Sequence, residues 1–127
     1  MTNLPVNFEW KEGYAVCRLA GRVSLQQAVE LAKAAIVAAR EQNVGRLLVD
    51  AAGLTGFEPP SLTDRYYMAR EWADAARGLV RVAMVVQPHL IDPQKFGVTV
   101  AANFGLSADV FSSEVQAIDW LTNVQSD

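Results

Sequence analysis

Two residue types that carry much of enzyme chemistry are nearly missing from this chain, which has one cysteine, Cys17, and one histidine, His89. A lone cysteine cannot close an internal disulfide, which fits a reducing compartment such as the cytoplasm. One imidazole and one thiol fall short of the usual zinc sets, so neither a metal nor another cofactor is expected. Positive charge is also scarce: 11 Lys and Arg face 14 Asp and Glu, a net charge of −3 with no basic cluster. That balance argues against nucleic acid or an anionic membrane as the main partner. Long apolar runs are absent. Leu79–Val86, already interrupted by Arg81, is among the longest, against the ~20 residues of a membrane span. The first ten residues lack a charged segment followed by an apolar one, so no secretion signal is expected. Gly53 and Gly56 do not fit the spacing of a dinucleotide fingerprint or a phosphate loop.

What is present is a packed core. Hydrophobic residues make up 51% of the 127 and charged ones 20%, the balance of one globular domain spanning 1–127. Val6–Trp10 and Tyr14–Ala20 read as strands joined by Lys11-Glu12-Gly13, a hairpin whose glycine supplies the turn. Ser24 with Gln27 forms a capping-box pattern. Leu25, Ala28, Val29, Ala32, Ala35, Ile36 and Ala39 then recur at helical spacing. Their small side chains predict a helix lying close to a sheet, ended by Asn43 and Gly45.

Arg46–Asp50 predicts a buried strand that delivers a carboxylate to the rim of the sheet, and Ala51–Pro60 a loop. Ser61 with Asp64 starts a second helix, whose inward face is Leu62, Tyr66, Ala69, Trp72, Ala73 and Ala76. Leu79–Val86 predicts a central strand buried on both faces. Asp92-Pro93 marks a helix start with Asp92 as N-cap, and Phe96, Val100, Ala101 and Phe104 form its apolar side. Ala108–Phe111 is a short strand, and Ser112 or Ser113 caps a last helix with Val115, Ile118 and Leu121 inward. The order β-β-α-β-α-β-α-β-α predicts an α/β fold: a mostly parallel sheet of about five strands with an antiparallel edge hairpin and helices packed on it.

Three stretches resemble the STAS superfamily, the fold of bacterial anti-sigma-factor antagonists, and within it the uncharacterised SpoIIAA-like group. Val16–Ser24 is similar to that family's second strand and its turn into the first helix. Leu47–Leu54 resembles the central strand and switch loop. Glu114–Leu121 looks like the closing helix, with its Ala-x-x-Trp-Leu ending. The resemblance implies a regulatory, non-catalytic protein. Switchable members carry an Asp-Ser-Ser-Gly type sequence at the start of the second helix, whose second serine is phosphorylated. Here the acid falls at Glu58, the serines at Pro59 and Pro60, and the glycine at Ser61. Proline has no hydroxyl, so no phosphorylation is expected, and Ser61 reads as a helix cap.

The candidate binding rim is Asp50, Gly53, Phe57, Glu58, Pro60, Ser61, Tyr66 and His89. In open α/β sheets ligands meet the protein outside the carboxyl ends of the strands. Asp50 either orients a ligand or partner there or hydrogen-bonds loop amides and shapes the turn. His89 is either a surface histidine or a base in need of a partner, and Cys17 reads as a small core residue. Phe57, Pro59, Pro60, Tyr66 and Tyr67 form an apolar cluster of the kind that marks binding surfaces.

Three functions are open. One is a protein-interaction module, self-association as a homodimer included. Another is a binder of a small apolar or lipid-like molecule, by analogy of architecture with lipid carriers of the Sec14 type. The third is an enzyme using Asp50 and His89.

Overall fold

The computed structural model describes residues 8–123. Of the first expected strand, Val6 and Asn7 therefore lie outside the described residues. The chain runs β1 (Phe8–Lys11), β2 (Tyr14–Arg22), α1 (Leu25–Glu41), β3 (Arg46–Thr55), α2 (Leu62–Ala76) and β4 (Arg81–Val85). A 3-10 turn (Pro88–Leu90), α3 (Phe96–Asn103), β5 (Ala108–Phe111) and α4 (Glu114–Thr122) follow. The strands lie side by side in chain order in one sheet. β1 and β2 are antiparallel and the other pairings parallel, which is the α/β architecture expected from the sequence.

Alternation along the strands sorts the core into two layers. Ala15, Cys17, Leu47, Val49, Val82 and Met84 pack with α1, α2 and α3 on one face. Val16, Leu48, Ala83 and Val85 pack with Ala117 and Leu121 of α4 on the other. Helix α4, only 9 residues long, is tied to the sheet near both ends by arginines. Arg18 of β2 donates to both Glu114 carboxylate oxygens at 2.8 and 3.0 Å. At the far end the Arg81 guanidinium lies 3.6 Å from the centre of the Trp120 ring and donates to the Trp120 carbonyl.

Three of the expected caps are found, those of α1, α2 and α4. Ser24 and Ser61 each accept from the backbone N–H three residues on, and Gln27 and Asp64 reach back to complete both capping boxes. Ser113 caps α4 through the Gln116 N–H.

Four expectations need correction. β3 does not stop at Asp50 but continues to Thr55, because β2 continues alongside it and pairs Ala20, Gly21 and Arg22 with Gly53, Leu54 and Thr55. The central strand is shorter than Leu79–Val86: Leu79 is turned out at 64% exposure, in a turn closed by its N–H to the Ala76 carbonyl. Asp92 does not occupy the N-cap position. Lys95 does, while the Asp92 carboxylate reaches forward to accept the Phe96 N–H at 2.8 Å. On the helices, Leu62 and Val115 are exposed at 61% and 77%. Each sits within the first two residues of its helix, before the turn that meets the sheet.

The register of β2 on β3 shifts between Arg18, opposite Asp50, and Ala20, opposite Gly53. β3 advances three residues where β2 advances two, which is a β-bulge. A Cβ at Gly53 would lie 3.0 Å from the Ala20 Cβ, so glycine admits the close approach. The residue after β3 is Gly56, whose φ is +105° and whose added Cβ would sit 2.6 Å from the Val23 carbonyl oxygen.

A Gly56→Ala chain should therefore lose about 2 kcal/mol or more, the combined penalty of a left-handed φ and a backbone clash. Urea denaturation would read this as a lower midpoint at unchanged slope; a midpoint equal to that of the parent would contradict the strained turn.

Candidate functional site

The space that could hold a ligand lies on the α1–α3 face of the sheet, between the strands and the helices that cover them. A partly open cavity of about 140 Å³ is lined there by Leu25, Ala28 and Val29 of α1, Met68, Ala69 and Trp72 of α2, and Val98 and Ala101 of α3. Its floor is Leu19, Ala51, Leu54, Met84 and Ala108 from the strands, and Phe57, Pro60, Leu90 and Ile91 close it from the loops. The bulge explains part of this floor. Val49 and Ala51 face the helices by simple alternation, and the extra residue then brings Leu54 onto the same side.

Alanine is what leaves the room. The buried residues of α2 are all alanine, and α1 buries Ala32, Ala35 and Ala39 with Ile36. Such stripes let helices sit close to a sheet, yet they fill little of the space between larger neighbours. Trp72 spans α1 and α2, its indole N–H donating to the Val29 carbonyl at 3.1 Å, so one wall of the cavity is fixed by a hydrogen bond as well as by packing.

The charged residues around the cavity are Arg65, Asp92, Lys95 and Asp109. Lys95 is paired with Asp109 at 2.7 Å. Asp92 accepts from the Phe96 and Gln94 N–H groups. Those bonds, the one from Phe96 foremost, together with the nearby Arg65 charge, hold its carboxyl below the ordinary carboxylate range. Among the described residues Arg65 donates only to carbonyl oxygens, from Nε to Pro60 and from Nη2 to Leu90.

Of the rim residues expected from the sequence, Phe57 and Pro60 line the cavity. Tyr66 packs edge-on against Tyr67 and Phe104. Glu58 and Ser61 are exposed beside the loop, and Ser61 caps α2. Gly53 lies in the bulge. His89 is exposed in the 3-10 turn.

Asp50 lies on the opposite face of the sheet from the cavity. One carboxylate oxygen accepts from the Ala52 N–H and the other from Arg18 at 2.9 Å. No hydrogen bond or ion pair joins Asp50 to His89 among the described residues. Sequence reasoning missed Arg18, which binds Glu9 of β1, Asp50 of β3 and Glu114 of α4 together. It also missed the contribution of α1 and α3 to the cavity; the alanine spacing in Ala28 and Ala32 was the available signal.

No protein-family model and no curated protein matches the chain. Among solved structures it is similar to an uncharacterised protein of the DUF3478 family with a SpoIIAA-like fold from Shewanella loihica PV-4. The two are 19% identical over 91% of each chain, with a TM-score of 0.48. It is also similar to the anti-sigma factor antagonist SpoIIAA in its unphosphorylated form, at 21% identity over 94% of this chain and 99% of that one, with a TM-score of 0.46.

The Arg18 cluster has a pH signature. Hydrogen bonds from Arg18 hold the Glu9 and Glu114 carboxyls below their ordinary value of 4.5. Groups that titrate lower in the folded than in the unfolded chain add stability that is complete above the unfolded value. It is lost as pH falls through the folded one. Arg18→Met should thus lower stability at neutral pH by about 1 kcal/mol, the scale of exposed ion pairs. It should also flatten the fall in stability below about pH 5. Urea midpoints at pH 7 and pH 4 for both chains would show it; parallel pH curves would refute the assignment.

Proposed function

We propose that this chain is a non-catalytic binding module that holds a small apolar molecule between its sheet and helices α1–α3. The observation that carries this reading is the cavity of about 140 Å³ with an almost wholly apolar lining. It is close in size to an engineered protein cavity of about 150 Å³ that stays dry and binds benzene. A non-catalytic role is supported by the commitment of Asp50 to Arg18 and the Ala52 N–H, which leaves no acid–base pair with His89.

A protein-binding role draws on a different surface. Leu62, Tyr67 and Phe104 are exposed at 61%, 59% and 46%, and Tyr67 and Phe104 both border a shallow groove between α2 and the end of α3. Arg70, Glu71, Asp74 and Arg77 also line it, so a partner, a second copy of the chain included, would find apolar contact beside charged groups there.

Hexan-1-ol, a short neutral probe, should raise the melting temperature of the protein in a concentration-dependent way. Ala28→Leu, which grows a side chain into the cavity, should abolish the rise without unfolding the chain. Native mass spectrometry of gently prepared protein should show a bound small molecule. A melting temperature indifferent to the probe up to its solubility limit would end the ligand reading.

A further inference from the structure

The lining of the cavity is mostly apolar, yet it is not electrically indifferent. Residues of the first turn of all three covering helices take part in it: Leu25 of α1, Arg65 of α2, and Gly97 and Val98 of α3. The amino ends of helices carry partial positive charge, but Asp64 offsets that of α2 and the Asp92 carboxylate that of α3. Arg65 adds a full charge at the same place. It is half-buried, and an added Cβ on Gly97 would lie 3.9 Å from the Arg65 Cβ, so the first turn of α3 packs against the base of its side chain.

The partners of Arg65 decide what this charge can do. Nε and Nη2 are used on the Pro60 and Leu90 carbonyls. These bonds fix the guanidinium between the loop before α2 and the 3-10 turn, and they do not neutralise it. Among the described residues Arg65 forms no ion pair and its Nη1 makes no hydrogen bond. The other cation of the lining, Lys95, is already paired with Asp109. Asp92 lies near enough to feel the Arg65 charge, but its oxygens are engaged by the Gln94 and Phe96 N–H groups.

Resting on the reading of the cavity as a ligand site, we infer that the ligand is a small carboxylic acid bound as its carboxylate, its apolar body in the cavity and its head group on Arg65. A body of roughly six carbons suits a volume of the size that accommodates benzene. A carboxylate accepting from a fixed, half-buried guanidinium forms the stronger, charge-assisted kind of hydrogen bond. An alcohol of the same chain length would gain only the apolar part. Asp92 sets a limit on the head group: its negative charge next to Arg65 disfavours dianions such as phosphate monoesters, so a single carboxylate is the fitting charge.

Hexanoate and hexan-1-ol, titrated separately by calorimetry at neutral pH, distinguish this inference from the reading beneath it. Hexanoate should bind roughly tenfold more tightly than the alcohol, the ratio expected of one charged hydrogen bond. Added salt should weaken the acid and not the alcohol. Arg65→Gln should weaken hexanoate far more than hexan-1-ol and so remove the preference, with circular dichroism showing that the variant is folded; Arg65→Lys should keep most of it. Equal binding of the two probes, or an acid preference that survives Arg65→Gln, would overturn the carboxylate inference and leave the cavity reading standing. Failure of both probes to bind the parent chain would overturn both.

Discussion

The pairing of β2 with β3 is the constraint from which the rest follows. β3 is paired on both sides as far as Asp50, opposite Arg18 and Val85, and beyond it only to β2. On the other flank β4 has ended, and the Gln87 side-chain amide donates to the Ala52 carbonyl in place of a strand. Pro88 follows with no N–H to offer a ladder. The chain then leaves the sheet, and Leu90, Ile91 and Asp92 pass over the cavity instead of extending its floor. The bulge at Gly53 re-phases β3, so that Leu54 joins Ala51 below the helices. A hollow at this end of the molecule is thus a consequence of strands of unequal length and one extra residue.

The two faces of the sheet are divided in kind as well as in place. On the α4 face the chain gathers carboxylates around Arg18 and uses them to hold three elements together. On the α1–α3 face it gathers alanines and leaves a void. Asp50 belongs to the first arrangement and not to the second, with the sheet between it and the cavity. An acid at a strand end above a glycine-containing loop has the look of a catalytic group; here both its oxygens are occupied in holding structure. Arg18 is correspondingly locked in its charged form, foremost by Glu114 and then Glu9.

Much of this was legible in the sequence because it is written locally. Ser24 with Gln27, Ser61 with Asp64, and Gly13 in its hairpin are decided by neighbours a few residues away, and each was readable. The second half of β3 was not. Ala51-Ala52-Gly53-Leu54-Thr55 has weak strand preference, and it is extended because β2 runs beside it, which is a tertiary decision. Arg18 was passed over because a charged residue in an edge-proximal strand ordinarily faces water, and its three carboxylates come from positions 9, 50 and 114. The cavity is the least legible feature. It consists of what is missing between side chains from every layer, and no window of sequence contains it.

The alanine stripes show how the same residues can be read rightly for packing and still hide a site. Ala35, Ala39, Ala73 and Ala76, toward the carboxyl ends of α1 and α2, are fully or almost fully buried and bring those helices down onto the sheet. Ala28 and Ala69, nearer the amino ends, meet the cavity instead. There the helices are held by Trp72 reaching across to Val29 and by Arg65 reaching to the carbonyls of Pro60 and Leu90. Those three anchors need no apolar contact across the gap, so the interior can stay unfilled without the helices collapsing into it. Small side chains at one end close the structure, and the same small side chains at the other end, once braced by long polar ones, keep it open.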